Sequence, residues 1–201
     1  MSDADDLLGA ANRRIFDLEL AQTLLKRELD DTRQRAEQNY ARYAEAARQH
    51  ADVMNLYVAA HRLHESLDRK DVLAAIQEIV INLIGSEELA VFELAEDGNA
   101  LRLVDSFGIE PGRFNDMPLG EGPLADSIRG GRAYITEGSG EQGKLTACVP
   151  LMAGEKAVGL VAVFSLLPQK PQLQQVDHEL FDVLRAHGGS ALFCTRLAAG
   201  K

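Results

Sequence analysis

Leu145-Thr-Ala-Cys-Val-Pro-Leu151 and Val158-Gly-Leu-Val-Ala-Val-Phe-Ser-Leu166 are two apolar runs flanking Ala153–Lys156, a short polar connection of hairpin length that contains Gly154. Each run is apolar at both parities, so both faces of the two strands should be covered rather than one facing water. That pattern predicts the central hairpin of an antiparallel sheet, with helices on one side and a second layer on the other. Any ligand would be expected between the sheet and that second layer.

With 201 residues, the chain has room for one sizeable domain plus an extension, or for two small domains. Charged residues at 26% and hydrophobic residues at 46% exclude a disordered composition. A net charge of −10 argues against nucleic acid or an anionic membrane as the main partner. No apolar run reaches the ~20 residues that span a bilayer, and the acidic start Met1-Ser-Asp-Ala-Asp-Asp6 is unlike a secretory signal. Cys148 and Cys194 both lie in apolar segments and read as two buried thiols. The compartment expected from these features is the cytoplasm.

Two regions differ in grammar. From Ala4 to Leu67 there is no proline, Gly9 is the only glycine, and Ala, Leu, Glu, Arg and Gln dominate. A continuous helix of ~60 residues would be ~90 Å long, more than a globular domain needs. A heptad frame fits it, with one column Leu8, Ile15, Gln22, Leu29, Ala36, Tyr43, His50, Tyr57, His64 and the other Ala11, Leu18, Leu25, Thr32, Asn39, Ala46, Val53, Ala60, Leu67. The prediction is a coiled-coil homodimer through Leu8, Ile15, Leu18, Leu25, Leu29, Val53, Tyr57 and Ala60. Leu7, Phe16, Leu20 and Leu24 fall outside both columns and are candidates for gripping an unidentified protein partner, or for burial in a four-stranded assembly. His50 and His64 share a column with Tyr43 and Tyr57, opposite Ala46 and Ala60. In a parallel dimer they either titrate against their mates or simply fill space above small neighbours.

Beyond Leu67, Asp68 and Asp71 resemble a capping box for a helix Asp71–Ile84, with Gly85 past its end. Val72, Leu73, Ile76, Ile79, Val80, Leu83 and Ile84 form its apolar face. Strands are expected at Glu88–Ala95 and Ala100–Phe107 around the turn signal Asp97-Gly98, and at Ala133–Thr136. Met117–Gly131 holds Gly120, Gly122 and a short amphipathic helix around Leu124–Arg129, and Gly138–Lys144 is a polar loop. Gln169–Pro171 breaks the chain before a last helix, Gln174–Leu197, whose inner face is expected to carry Val176, Leu180, Leu184, His187 and Ala191.

This order resembles a GAF domain, and the likeness extends to motifs over residues 61–198. Leu67–Leu83 resembles the family's first helix, and Ser86–Leu103 its next strands with their Asp-Gly turn. Met117–Gly131 is similar to its Gly-rich segment with a small helix. Val149-Pro-Leu151, Gly154 and Val158-Gly-Leu160 resemble its hairpin. The resemblance implies an α+β fold, an antiparallel sheet with flanking helices, preceded by the long coiled-coil helix: residues 1–67 and then 68–198. It also implies a sensory or dimerising role in signalling. The Asn-Lys-Phe-Asp-Glu set of the cyclic-nucleotide-binding relatives has no counterpart here, and Gly138–Lys144 is short for a lid. Neither cysteine sits where the bilin-binding relatives or the free-methionine-sulfoxide reductases need one.

Other constellations are incomplete. His61, His64 and Glu65 sit on one helix but lack further metal ligands. Asp105, Glu110, Asp116 and Glu121 bracket the Gly-rich segment without a nucleophile or a nearby histidine. Gly120-Glu-Gly122 lacks the lysine of a phosphate-binding loop. No catalytic, cofactor or metal residues are therefore assigned. The expected function is a non-catalytic cytoplasmic signalling scaffold that homodimerises through the N-terminal helix and acts through a protein partner. A small-molecule-sensing regulator is the alternative, and a methionine-sulfoxide-reductase-like enzyme a weaker one.

Overall fold

The computed structural model describes residues 2–199 apart from 111, 113, 115, 116 and 137–143; within the first helix, side chains are described at Gly9 and from Arg13 onward. The chain divides into two compact units, Met1–Ala51 and Asp52–Lys201. Helix α1, Ser2–His64, accounts for the first unit and enters the second. Its run of strong helix formers is reinforced by exposed pairs such as Arg33–Glu37 at 3.3 Å, each contributing a few tenths of a kcal/mol. Thr32, one of the weak heptad positions, donates its hydroxyl to the Glu28 carbonyl at 2.7 Å, a bond made within the helix itself.

The second unit begins at Asp52, earlier than the boundary expected at Leu67, because the last turns of α1 belong to its core. Ala59 and Leu63 are buried there and Leu56 packs beside them. The helix then stops at His64, three residues before the expected end.

Helix α2, Arg69–Glu78, starts at Asp68, whose carboxylate accepts from the Lys70 N–H at 2.7 Å. Asp71 does not complete the expected capping box. Its carboxylate accepts from the Ser66 hydroxyl at 2.7 Å, and that same oxygen accepts the Asp68 N–H at 3.0 Å. A π-helical turn, Ile79–Ile84, continues α2 and ends at Gly85.

The sheet is antiparallel throughout: β1 Ser86–Leu94, β2 Ala100–Phe107, β3 Met117–Pro118, β4 Tyr134–Ile135, β5 Ala147–Ala153 and β6 Lys156–Leu166, in the order β3-β2-β1-β6-β5-β4. Ala153 faces Lys156 across a two-residue turn, where Gly154 takes the left-handed conformation (φ 64) that such tight turns require. Residues 147–152 and 158–165 are buried without a break, as apolar residues at both parities predict. The alternation feeds two cores. Leu89, Val91, Val149, Leu151, Val161 and Val163 meet the long helices. Ala90, Phe92, Cys148, Leu160, Ala162 and Phe164 face the opposite layer, with Ile128 of helix α3, Pro123–Gly130.

The closing helix is not regular. It runs as α4, Gln175–Val183, a π-helical segment Leu184–Gly188, and α5, Gly189–Ala199. A regular repeat from Leu180 and Leu184 carries His187 inward, but the wider π turn rotates it out to an exposed position. Gly188 and Gly189 take the inward place, where they let the helix backbone rest on β5. A Cβ on Gly189 would stand 2.1 Å from the Met152 nitrogen. Cys194 is likewise exposed rather than buried, since Ala191, Leu192 and Thr195 form the inner face of α5.

The break at Gln169–Pro171 is anchored by one lysine. Lys170 Nζ donates to the Ile84 carbonyl at 2.7 Å and to the Asp177 carboxylate at 2.6 Å. Asp177, fully buried, also accepts the Gln174 N–H at 2.6 Å and so caps α4.

Candidate functional site

Two regions were candidates for function, the second face of the sheet and the apolar faces of α1. On the sheet, three phenylalanines from separate segments meet. Phe114 stacks on Phe164 of β6 with centroids 5.2 Å apart and an interplanar angle of 26°, and it meets Phe92 of β1 edge-on at 6.2 Å. Leu94, Leu103, Met117, Leu119, Leu124 and Leu145 pack around this cluster. Among the described residues, these side chains pack into the space between the sheet and the second layer. A groove of about 190 Å³ lies at its margin, between Leu101, Met117 and the turn Gly120–Pro123. Phe114 lies in a stretch where the sequence reading assigned no element; an isolated aromatic in a polar connection was the available signal.

The Gly-rich turn is held by its own chain. Arg129 donates to the Gly120 carbonyl at 3.1 Å, and Ser127 donates to the Arg132 carbonyl at 2.8 Å. Asp105 accepts from the Ser106 N–H at 2.9 Å, and Glu110 and Glu121 are exposed. Asp116 and most of the Gly138–Lys144 loop lie outside the described residues.

The thiols stand apart. Cys148 faces the second core beside Ala162, its Sγ 3.4 Å from the Pro123 carbonyl, and burial pushes its thiol up to about 11. Cys194 lies on α5, which covers the opposite face of the sheet. A thiol that stays protonated near neutrality is a poor nucleophile, and a second thiol across the sheet cannot resolve it.

The histidines of α1 do not gather as a metal set. His61 lies against Tyr57 with centroids 6.1 Å apart, and Glu65 is bound by Arg62 at 3.2 Å. His64 instead meets His187 at 3.0 Å, a partner 123 residues away that sequence spacing could not reveal. Among the described residues no group of three or more His, Cys, Asp or Glu is placed to hold a metal.

Along α1, Ile15, Leu18, Leu25 and Leu29 are exposed, as are Phe16, Leu20 and Leu24. At 100° per residue the first four share one stripe, and the latter three share another nearly opposite it. Leu7 and Leu8 have no described side chain. Val53 and Tyr57 are exposed at 62% and 63%, on a different side of the helix from Ala59 and Leu63, and Ala60 is half-buried at the edge of that packed face. No described helix is long and apolar enough to cross a membrane.

Comparison with known proteins agrees with this architecture. No curated protein matches the chain. It is similar in structure to the GAF domain of an Acinetobacter phosphoenolpyruvate-protein phosphotransferase, at 16% identity and TM-score 0.61, covering 75% of this chain and 98% of that one. It is also similar to residues 122 to 287 of a methyl-accepting chemotaxis protein, at 16% identity and TM-score 0.57 over 71% of this chain and 99% of that one. A third likeness is to the free methionine-R-sulfoxide reductase of Neisseria meningitidis in complex with its substrate, at 15% identity and TM-score 0.56 over 71% and 89%. At such identities these likenesses speak to the fold alone. The profile of the GAF domain covers residues 66–192. That match spans more than half of the chain and takes in the six-stranded antiparallel sheet with its flanking helices; the chain belongs to the GAF domain family.

Proposed function

We propose that this chain is a non-catalytic cytoplasmic signalling scaffold, in which the GAF domain and the helix that enters it form a homodimer and the N-terminal part of α1 delivers the output to a protein partner. The observation that carries the reading is the pair of apolar stripes on nearly opposite sides of α1. One stripe, Ile15, Leu18, Leu25 and Leu29, suits the seam of a two-stranded coil. That coil leaves Phe16, Leu20 and Leu24 in water, which is the kind of apolar strip that a partner's groove covers. The packed Phe92–Phe114–Phe164 cluster and the high-pKa Cys148 thiol weigh against a ligand pocket and against thiol catalysis.

Light scattering separates the parts of the reading. Leu18→Lys with Leu25→Lys puts like charges at a symmetric seam and should give a monomer or a dimer weakened by several kcal/mol. Phe16, Leu20 and Leu24 replaced together by Gln should leave the dimer intact and abolish partner recovery. An unchanged dimer in the first variant would move the interface off this stripe. A wild-type tetramer that falls to a dimer in the second, with no partner lost, would assign both stripes to self-association.

A small-molecule-sensing reading draws on the groove beside Leu101 and Met117, at about 190 Å³. Native mass spectrometry of unheated protein tests it, since a co-purifying ligand would appear as a defined added mass.

A further inference from the structure

The end of α1 and the π-helical segment Leu184–Gly188 meet through two imidazoles. His64 Nε2 lies 3.0 Å from His187 Nδ1, with the rings at 83° and their centroids 5.2 Å apart. Both residues are exposed, so solvent and ions reach the pair. The geometry is a product of the irregular helix, because a regular α-helix would turn His187 toward the sheet.

We propose that His64 and His187 form a two-imidazole chelate for a divalent transition-metal ion of the zinc type. Neutral imidazole nitrogens are the commonest protein ligands for such ions, with metal–nitrogen distances of about 2.0–2.1 Å. Two nitrogens on a tetrahedral ion at those distances stand about 3.3 Å apart. The pair therefore has to open by about 0.3 Å and each exposed ring has to tilt by about 35°, so that both lone pairs converge on an ion lying beside the line between the nitrogens.

The proton balance is simple. In the neutral hydrogen-bonded pair one facing nitrogen carries a hydrogen and the other accepts it. Binding moves that hydrogen to the far nitrogen of the same ring, His64 Nδ1 or His187 Nε2. Both facing nitrogens are then ligands, and no net proton is released. Water fills the other positions on the ion. The charged neighbours on both elements are already engaged: Arg62 with Glu65 and Glu78, and Arg185 with Asp182. An ion held there ties the final turn of α1 to the closing helix, at the place where the long helix enters the domain. This assignment does not depend on the scaffold reading.

The test is isothermal titration of the full, tag-free chain with zinc chloride at about pH 7.5, where imidazole is mostly neutral. One zinc per chain is expected. His64→Gln and His187→Gln should each weaken it by about tenfold or more, while His50→Gln and His61→Gln leave it unchanged. Zinc should raise the melting temperature of the wild type and of the last two variants only. Should either variant at the pair fail to fold, the imidazole NMR signals of wild-type protein decide, since His64 and His187 must shift together on adding zinc. Absence of binding at about 100 μM zinc overturns the proposal. So does loss in His61→Gln with retention in His187→Gln, which would assign the ion to α1 alone.

Discussion

Replacing Gly189 by Ala probes the closest approach in the molecule. The added Cβ would stand 2.1 Å from the Met152 nitrogen, 2.4 Å from its oxygen and 2.5 Å from the Leu151 carbonyl carbon. All three are backbone atoms of a strand paired along its length with β6, so none can swing aside as a side-chain tip can. Relief requires the whole helix to move off the sheet, and overpacking of that kind costs about 3 kcal/mol. The same change lowers the helix cost of glycine by about 1 kcal/mol. The net expectation is a loss of about 2 kcal/mol. With a urea dependence of about 2 kcal/mol per molar, the unfolding midpoint should fall by about 1 M. Two other substitutions calibrate the result. At Gly188 a Cβ would meet side-chain atoms alone, the Leu151 Cδ2 at 3.2 Å and the Ile76 Cδ1 and Cγ1 at 3.9 Å, and at Gly130 it would meet nothing within 4 Å. Stability should therefore fall in the order Gly130→Ala, Gly188→Ala, Gly189→Ala, followed by the near-ultraviolet circular dichroism of the packed aromatic residues. A Gly189→Ala midpoint equal to that of Gly130→Ala would refute the seating of the helix on β5.

Three further outcomes follow from the described contacts. Iodoacetamide at about pH 8 should label Cys194 and spare Cys148 in the folded protein, because the Cys148 thiol, held up near 11 by burial, stays protonated; equal labelling by mass spectrometry would contradict that burial. Phe164→Ala removes one partner of the aromatic stack and should destabilise by about 3 kcal/mol in urea, and a loss below about 1 kcal/mol would mean that the second core is loose. Asp177→Ala leaves Lys170 with the Ile84 carbonyl alone and uncaps α4, so a loss of about 2 kcal/mol is expected, whereas Lys170→Met strands the fully buried Asp177 carboxylate without its counter-charge and should cost about 3 kcal/mol; a near-neutral Lys170→Met would reject this assignment.

The sheet was legible because both of its faces are buried. Continuous apolar runs from Ala147 and Val158, with a glycine turn of fixed length between them, leave few alternatives to a central hairpin. The apolar face of α2 was legible for the same reason, since Val72, Leu73 and Ile76 follow a regular period before the helix widens. The closing helix was legible in part: Leu180, Leu184 and Ala191 are buried as expected and Val176 packs beside them. His187 and Cys194 are exposed instead, because the π turn changes the helix phase locally, and nothing before the Gly188-Gly189 pair marks the change in sequence. At the domain boundary, the heptad pattern of α1 runs on through residues whose other side, Ala59 and Leu63, serves the globular core. Two periodic demands on one helix are indistinguishable in sequence when both ask for apolar residues. The pairs His64–His187 and Lys170–Ile84 depend on tertiary placement, which local spacing does not encode.

The position of β6 between β1 and β5 also sets the schedule on which the sheet can close during synthesis. β1 leaves the ribosome with Leu89, Val91 and Phe92 already in place, but the strand that covers its second edge ends at Leu166. At about 5–20 residues per second, the stretch from Leu94 to Leu166 takes roughly 4 to 14 s to make. Throughout that interval an apolar strand has one open edge, while α1 has been outside for longer still. Slow synthesis of residues 95–166 therefore exposes this fold to aggregation, and its yield should rise when translation of that stretch is accelerated.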